Sequence, residues 1–499
     1  MDKISSDIKQ PRIPVEINDI QVNFCKNPLC QNYGVPASTE SQVKLHKSQK
    51  DCYKLSSGSR KPVTKLICKS CNELFPVKSN QGIWDELQRI EEYLKETPEV
   101  SCPDNSCKNN LISIKLGKEF YQSFGKTKSG SSRYRCKSCK KTFSVKQSTT
   151  GQKQPHKNNL IFKLLMNKSP LRRICEVADV GMATVYAKID FLHKQCMTFV
   201  SEREQRLIKS NIKRLYVIVD RQEYIVNWTR REDKRNIKLS AIGSADNETG
   251  YVFQMNLNYD PCISPIEIEE NALSVNDYNA QYAYRKHARF WLNGDYKESV
   301  KNSRSKKTNG SSLSADISAT YKDAISRDDI EESEALYQVQ KLPQNGMQIH
   351  SEYTMYGHFF FIHKLFSGVE KIRFFLDQDS GMRATCLTAF HNEIKNRSCD
   401  AFYVRITKDL TVDEKRRTLN DSRNYFSDQQ KEHPDLSKNK IKLKIIKDRL
   451  ENMQEIGNWK DKWLLHPFPN MSEPEKAICY LTDYGDYNVV ILNRTHNLK

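Results

Sequence analysis

Residues 214–220 read RLYVIVD and residues 371–377 read KIRFFLD. Each run is short, apolar and rich in β-branched or aromatic side chains, and each ends in an aspartate. Such runs are typical of strands that are buried inside a sheet. The two runs therefore predict two core strands of one domain, which end in Asp220 and Asp377.

The runs around these strands predict the rest of a domain over 211–499. NIKLSAIGSA (236–245) and TGYVFQMNLN (249–258) predict a hairpin, YTMYGHFFFIHKLF (353–366) a buried helix, DAFYVRITK (400–408) a strand, and TVDEKRRTLNDSR (411–423) the beginning of a helix. Residues 260–350 are polar and charged, and they predict an insertion that is partly helical near 279–292. Three strands, a helix, a strand, a helix, a strand and a helix is the order of the ribonuclease H-like fold.

That order makes the two aspartates candidates for metal-dependent phosphate chemistry. Two Mg²⁺ ions about 4 Å apart need hard oxygen ligands, which three carboxylates would supply. Asp220 and Asp377 are the first two, and Glu414, which follows Asp377 by 37 positions, is the predicted third. Asp379 competes with Asp377, since both lie in FLDQDSG. The alternatives for the third carboxylate are Asp413, Glu473 and Glu475.

Eight of the 15 cysteines form two sets with similar spacing. The first set is Cys25-x4-Cys30 with Cys68-x2-Cys71, and the second is Cys102-x4-Cys107 with Cys136-x2-Cys139. The flanks match as well, since CKSCNELFPV (68–77) resembles CKSCKKTFSV (136–145). The chain therefore carries an internal repeat of two units.

A tetrahedral zinc ion needs four thiolates at about 2.3 Å, and two tight turns with two cysteines each can supply them. The repeat therefore predicts two zinc ribbons with one structural Zn²⁺ each. The first ribbon covers 20–80 and includes a polar insertion, and the second ribbon covers 100–150. Four thiolates leave no open position for a substrate, which argues against a catalytic zinc. Free thiols are the alternative, and the doubled spacing argues against them.

Residues 155–200 predict a helix-turn-helix. Apolar residues recur at helical spacing over 160–165, LRRICEVAD (171–179) predicts a second helix, and ATVYAKIDFLHKQC (183–196) predicts a third after a turn at Gly181. Ile174, Val177 and Ala178 are predicted to face inward. The third helix would enter the major groove of DNA. Its predicted contacts to base edges or phosphates are Met182, Ala183, Thr184, Ala187 and Lys188.

The net charge of +19 is concentrated in one part of the chain. Residues 101–210 hold 22 basic and 7 acidic residues, whereas 211–499 hold 43 and 41. A basic module beside a near-neutral body indicates a polyanion partner, most often nucleic acid. The second ribbon is the more basic of the two, so its Arg133, Arg135, Lys140 and Lys141 are predicted DNA contacts. The first ribbon is predicted to be more structural or protein-facing.

The predicted fold class is multidomain α+β. It combines two small zinc ribbons, a helical DNA-binding module over 155–200 and an α/β ribonuclease H-like domain over 211–499 with an insertion at about 260–350. No run of about 18 apolar residues and no apolar leader is present, which argues against a membrane or secreted protein. The expected location is the cytoplasm, where cysteines serve as metal ligands or buried thiols.

Zinc ribbons, a helix-turn-helix and a body with YVIVDRQEYIVNW, ETGYVFQMNLNYD, EYTMYGHF and FFLDQDSGMRATCLTAF together resemble bacterial insertion-sequence transposases. The resemblance covers most of residues 100–480. It implies a nucleoid-associated bacterial enzyme that binds the terminal repeats of its own element. It further implies Mg²⁺-dependent cleavage and joining of double-stranded DNA by a homo-oligomer. Asp220 and Asp377 carry over as metal ligands, and Glu414 as the third acid.

Two other interpretations stay open. A non-catalytic zinc-dependent DNA-binding protein, either a transcriptional regulator or a decayed transposase, would occupy DNA without cutting it. A stand-alone nuclease of the same fold would cut DNA without joining ends. Enzymes of this kind often carry more helical sequence than follows NVVILN (488–493), so the resemblance includes the expectation of a truncated copy.

Overall fold

The structure is a computed structural model of the chain. It describes residues 10–482, apart from 57–62, 95–99, 115–116, 129, 147, 229–230, 303–311, 328, 333–337, 408–409 and 458–459. The run NVVILN (488–493) lies outside the described residues. The chain forms two compact units. We call Met1–Ile90 with Ile208–Lys499 the body, and Glu91–Leu207 the middle unit.

The first ribbon belongs to the body, although the sequence suggested a separate module. Its strands are β1 (Tyr53–Ser56), β2 (Lys65–Cys68) and β3 (Leu74–Pro76), which form an antiparallel sheet, and α1 (Asn80–Glu91) follows. Buried ion pairs of Lys26 with Glu331 and of Lys78 with Asp329 tie the ribbon to later parts of the chain. No local sequence pattern marks such pairs, so the grouping was not predictable.

The middle unit contains the second ribbon and three helices. The strands are β4 (Tyr121–Lys126), β5 (Ser132–Cys136) and β6 (Thr142–Val145), and the helices are α2 (Asn158–Met166), α3 (Leu171–Ala178) and α4 (Met182–Ile208). Ile174 and Ala178 are buried in the core shared by the helices, as predicted. Val177 is 52% exposed, which corrects the prediction, because it lies beside rather than on the face shared by Ile174 and Ala178.

The larger part of the body follows residue 208. Its elements are β7 (Leu215–Val226), β8 (Ile237–Asp246), β9 (Val252–Leu257), β10 (Tyr259–Asp260), α5 (Pro265–Ser274), α6 (Asn293–Asn302), α7 (Leu313–Ser326), β11 (Met347–Gln348), α8 (Ser351–Leu365), β12 (Ile372–Leu376), α9 (Ser380–Ala389), α10 (His391–Lys395), β13 (Cys399–Ile406), α11 (Val412–Glu432), α12 (Lys438–Glu451), β14 (Gln454–Ile456), β15 (Asp461–Leu465) and β16 (Lys476–Tyr480). The described chain is therefore mixed α/β, with 12 α-helices. None of these helices is long and apolar enough to cross a bilayer.

One mixed sheet of eight strands organises the body, in the order β14-β15-β16-β13-β12-β7-β8-β9. Strand β12 lies parallel to both β7 and β13, and the other neighbouring strands are antiparallel. Strand β7 pairs with β12 only up to Val219, but it pairs with β8 as far as Val226. We call this continuation, residues 220–226 with 237–243, the β7–β8 extension.

Helix α8 is buried along most of its length and contacts β8, β9 and α9. His358 of this helix lies 2.6 Å from Ser244 Oγ and 2.7 Å from Asn256 Oδ1. Burial lowers the pKa of His358 to about 3. A neutral imidazole with a partner at each ring nitrogen is a core residue, not a free base or ligand.

The helices of the insertion differ from those predicted. Residues 279–292 contain a 3-10 turn at Tyr282–Tyr284 rather than an α-helix. Helix α7 also lies within the polar insertion, and its Leu313, Ile317 and Tyr321 are buried. These residues recur every fourth position, a helical spacing that the polar residues between them had obscured.

Candidate functional site

The four sulfurs of each predicted cysteine set come together. The Sγ atoms of Cys25, Cys30, Cys68 and Cys71 lie within 4.8 Å of one another, and so do those of Cys102, Cys107, Cys136 and Cys139. The shortest distances in the two groups are 3.5 Å for Cys25–Cys71 and 3.4 Å for Cys102–Cys139. A tetrahedron with zinc–sulfur bonds of about 2.3 Å separates its sulfurs by about 3.8 Å. Both groups therefore fit a structural zinc ion.

One asparagine in each ribbon donates hydrogen bonds to two ligand sulfurs. Asn32 N lies 3.4 Å from Cys30 Sγ, and Asn32 Nδ2 lies 3.3 Å from Cys68 Sγ. Asn109 repeats these contacts in the second ribbon at 3.5 Å and 3.3 Å. N–H donors stabilise the thiolate form that binds metal. The sequence analysis missed both residues, although each stands two positions after the second cysteine of its set.

A tyrosine closes the first cysteine turn of each ribbon. Tyr53 Oη accepts a hydrogen bond from Cys25 N at 2.9 Å and lies 2.6 Å from the carbonyl oxygen of Val35. Tyr121 occupies the same place in the second ribbon, 3.0 Å from Cys102 N. Each tyrosine stands 15 positions before the third cysteine of its set, a shared spacing that was not among the predictions from the sequence.

Hydrogen bonding prepares one thiol in each ribbon for metal. Burial raises the pKa of Cys68, but hydrogen bonds from Asn32 and from neighbouring backbone N–H groups outweigh it and lower the pKa to about 7. The same balance lowers the pKa of Cys136 to about 6, with Asn109 as the side-chain donor. Since the thiolate is the metal-binding form, each ribbon offers one ligand that ionises near neutral pH.

Helix α4 begins at Met182, the first of its predicted DNA contacts. Met182, Ala183 and Ala187 are exposed, and Thr184 is half-buried. Lys188 is only 2% exposed, and its Nζ donates to Gln152 Oε1 at 3.0 Å. Burial lowers the pKa of this ammonium group. Lys188 is therefore an interior residue rather than an available DNA contact, because it shares the inward face of the helix with Val185, three positions earlier.

Arg133 and Arg135 lie on one face of β5, since alternate residues of a strand share a face. The Arg133 guanidinium lies 5.4 Å from the ring centre of Phe124, which is exposed. Arg135 Nε donates to the carbonyl oxygen of Lys140 at 3.2 Å. The neighbours across the strands are polar: Gln122, Thr142 and Ser144. We call Gln122, Phe124, Arg133, Arg135, Thr142 and Ser144 the basic sheet face.

Lys140 and Lys141 lie at the tip of the second ribbon, beside Cys139. Both are exposed, and Lys141 Nζ lies 3.4 Å from Asp104 Oδ2. An exposed ion pair of this kind contributes little free energy in water. Both ammonium groups therefore remain available to an anionic partner.

Asp220 and Asp377 occupy neighbouring positions just beyond the point where the parallel pairing of β7 with β12 ends. Strands β7 and β12 pair in register up to Val219 and Leu376, so the two aspartates come next on their strands. The Asp377 N–H continues this pairing, with a bond to Val219 O at 3.4 Å. Neighbouring strands lie about 4.8 Å apart. Both aspartates are exposed, and among the described residues neither forms an ion pair.

The surroundings of Asp377 make its carboxyl group harder to ionise. Desolvation by the surrounding protein raises its pKa, although its surface reaches solvent, and the charges of Asp220 and Asp379 raise it further. The Arg405 guanidinium acts in the opposite direction. Arg405, which the sequence analysis missed, is held by Asp316 at 2.6 Å. Closely spaced carboxylates repel one another, and a divalent cation bound by them would neutralise part of their negative charge.

Asp379 is already bound within the protein. One carboxylate oxygen accepts hydrogen bonds from Gly381 N at 2.8 Å and Met382 N at 3.0 Å, which caps helix α9. The other oxygen lies 3.6 Å from Arg221 Nη2. Because Asp379 has these partners, Asp377 is the better candidate for a metal ligand.

Glu414 lies at the third position of α11, where it forms a capping box with Thr411. Its Oε2 accepts from Thr411 N and Thr411 Oγ1, both at 2.7 Å. These hydrogen bonds lower the pKa of Glu414. The alternatives are paired as well: Asp413 with Arg416 at 3.5 Å, Glu473 with Lys476 at 2.6 Å, and Glu475 with Thr407 Oγ1 at 3.0 Å. Over the described part of the chain, three or more metal-ligating side chains lie within 4.8 Å of one another only in the two cysteine groups.

Comparison with protein-family models, curated proteins and solved structures finds no match for this chain. Function has to be inferred from three features of the molecule itself. These are the two cysteine groups, the middle unit with its basic sheet face and three helices, and the adjacent pair Asp220 and Asp377.

Proposed function

We propose that the chain is a DNA transposase of the bacterial insertion-sequence type, which binds DNA through the middle unit and cleaves and joins strands with Mg²⁺ in the body. The adjacency of Asp220 and Asp377, where the pairing of the two central parallel strands β7 and β12 ends, carries this proposal. The strand order β9-β8-β7-β12-β13 supports it, because three antiparallel strands followed by two parallel ones suit a ribonuclease H-like domain.

Carboxylates at adjacent positions suit a hard divalent cation. Mg²⁺ bound there would supply Lewis-acid stabilisation of charge on the attacking and leaving oxygens of a phosphodiester. Asp220 and Asp377 would hold the cations through their carboxylate oxygens, and Arg405 would add positive charge beside them. Glu414 is the proposed third ligand, and it would have to exchange its bonds to Thr411 for bonds to a cation.

The middle unit supports DNA binding by its charge and its shape. Helices α3 and α4 with the turn between them suit a helix-turn-helix, in which the exposed start of α4 would enter the major groove. Arg133 and Arg135 would contact phosphates from the basic sheet face. Binding to the element's terminal repeats, assembly of a homo-oligomer on them and a nucleoid location belong to the same proposal.

The test is incubation of the purified protein with DNA that carries the ends of its element, with and without Mg²⁺. We expect cleaved and joined strands with Mg²⁺ only. D377N should lower the rate of cleavage by about a thousandfold or more, since it removes a charged metal ligand. The same variant should bind DNA like the wild type, and cleavage at the wild-type rate by D377N would refute the site.

A non-catalytic DNA-binding protein, either a regulator or a decayed transposase, is the second candidate. It is favoured by the capping role of Glu414 and because, among the described residues, the aspartate pair belongs to no group of three metal-ligating side chains within 4.8 Å of one another. This candidate predicts the same salt-sensitive DNA binding without Mg²⁺-dependent products. A stand-alone nuclease would instead give cleaved strands that are never joined.

A further inference from the structure

The first ribbon packs against helix α9, which begins three residues after Asp377. Tyr33 Oη donates to the carbonyl oxygen of Leu387 in this helix at 2.6 Å. Gly34 adopts a φ of +68°, and a Cβ atom there would lie 2.7 Å from the ring of His391, just beyond the helix. The close approach therefore requires glycine.

Glu73 joins the second cysteine turn of the first ribbon to the same helix. Its backbone carbonyl accepts from Cys68 N at 3.0 Å, so the residue is part of the turn that holds the metal ligands. Its carboxylate lies 3.4 Å from Cys25 Sγ on one side and 2.8 Å from Arg383 Nη1 on the other. Glu73 and Arg383 are 6% and 7% exposed, so their opposite buried charges compensate each other, and the Asp461 carboxylate also acts on Arg383.

Arg383 lies in the first turn of α9, close to the carboxylate pair. Its backbone N–H donates to the carbonyl oxygen of Asp379 at 3.0 Å, and Tyr403 Oη donates to the same carbonyl at 2.8 Å. Asp377 comes two residues before Asp379. Any shift of α9 would therefore move the segment that carries Asp377.

We propose that Glu73 and Arg383 are positioning residues, through which the metal group of the first ribbon holds α9 so that Asp377 stays beside Asp220. What Asp377 binds rests on the proposed function, whereas the placement of α9 does not. The second ribbon lacks this acid, because the position of Glu73 in the repeat is occupied there by the exposed Lys141.

The variant E73Q tests the proposal, since it keeps the shape of the side chain and removes the charge opposite Arg383. It should keep two zinc ions per chain and wild-type DNA affinity. Amide hydrogen exchange over residues 377–389 should become about tenfold faster. The Mg²⁺ concentration for half-maximal cleavage should rise by about fivefold or more, with most of the rate restored at saturating Mg²⁺. K141Q, the matched change in the second ribbon, should leave amide exchange over residues 377–389 at the wild-type rate.

Wild-type exchange over 377–389 in E73Q would overturn the proposal, and so would an unchanged Mg²⁺ requirement. A double variant with R383Q should exchange no faster than E73Q, because the two charges act as one pair. If E73Q folds poorly, E73D, which keeps the charge at shorter reach, takes its place in the same exchange measurement. If the wild type cuts no DNA, the proposed function fails, and the exchange rates still decide whether Glu73 holds α9.

Discussion

The two ribbons contain the same metal group in different surroundings. In each, four sulfurs lie within 4.8 Å, and an asparagine donates to two of them. Even the aromatic contact is repeated, since the ring centres of Tyr53 and Phe75 are 6.0 Å apart and those of Tyr121 and Phe143 are 5.8 Å apart. The side chains next to the sulfurs are thus alike in the two copies.

Outside the sulfur ligands, the copies differ at three positions, either in residue type or in surroundings. Glu73, Tyr33 and Lys78 of the first ribbon correspond in the repeat to Lys141, Asn110 and Lys146. Lys78 is buried between Asp329 and Glu352, whereas Lys146 is exposed. The four cysteines therefore specify the fold of a ribbon. A few side chains outside the cysteine group determine whether the ribbon packs into the body or leaves its sheet exposed.

Removal of one cysteine ligand should produce the largest difference between the two ribbons in their effect on DNA affinity. C136A should unfold the second ribbon, because metal binding supplies on the order of 10 kcal/mol of folding free energy in such small units. DNA affinity should then fall by about a hundredfold or more. C68A should instead expose the body to proteolysis and leave DNA affinity nearly unchanged. Zinc content, which should drop to one ion per chain in both variants, and DNA titration provide the measurements, and equal losses of affinity would contradict the division.

Charge reversal on the basic sheet face should have the next largest effect. R133E with R135E should weaken DNA binding by about ten- to a hundredfold and reduce the slope of log affinity against log salt by about two. Reversal of Lys140 and Lys141 should add to this loss. K65E, at the first ribbon's counterpart of Arg133, is the control and should leave binding unchanged. DNA titrations of these variants at several salt concentrations provide the measurement. An equal loss of affinity in K65E would contradict the difference between the ribbons.

A smaller effect is expected at the start of α11. If Glu414 is the third ligand, E414Q should lower Mg²⁺-dependent cleavage by about tenfold. T411A removes its capping partner and should cost about 1 kcal/mol of stability while cleavage persists. Cleavage rates and thermal unfolding of both variants make the comparison. Full activity of E414Q would leave Glu414 with its capping role alone.

The smallest effect is the stability of D377N as a function of pH. The pKa of Asp377 is raised in the folded protein, so the unfolded chain binds fewer protons once the pH exceeds the ordinary aspartate range. The free energy of unfolding of the wild type therefore falls as the pH rises from that range to the raised pKa, and it stays at the lower value above the raised pKa. D377N should melt at a higher temperature than the wild type at pH 7 without Mg²⁺, and the difference should disappear in acid. A lower melting temperature at pH 7 would contradict the raised pKa.

Sequence reasoning succeeded where the determining pattern is local. Each cysteine pair lies within one turn, so its spacing predicts a metal site without knowledge of the fold. The strands before Asp220 and Asp377 were predicted from apolar runs, and both are found at the centre of the sheet, although β7 continues past Asp220 to Val226. Their adjacency follows from parallel pairing in register.

The remaining features depend on helix phase or on partners distant in sequence. Lys188 was expected on the surface, but it lies on the inward face of α4 together with Val185. Val177 was expected in the core, but it lies beside the inward face of α3, which carries Ile174. Glu73 meets Arg383 across 310 residues of sequence, so no local pattern joins the first ribbon to α9. Glu414 was predicted to be a metal ligand from its spacing to Asp377. Its carboxylate instead accepts hydrogen bonds from Thr411, three positions earlier in the chain.

The β7–β8 extension restricts how a substrate can approach the carboxylates. Strand β7 runs six residues past Asp220, about 20 Å at 3.3 Å per residue, whereas β12 ends before Asp377. The extension therefore forms a wall on one flank of the aspartate pair, and β13, which carries Arg405 near its end, lies on the other flank. A rod as stiff as duplex DNA would have to lie along this wall, so the body itself would limit the angle at which a strand enters.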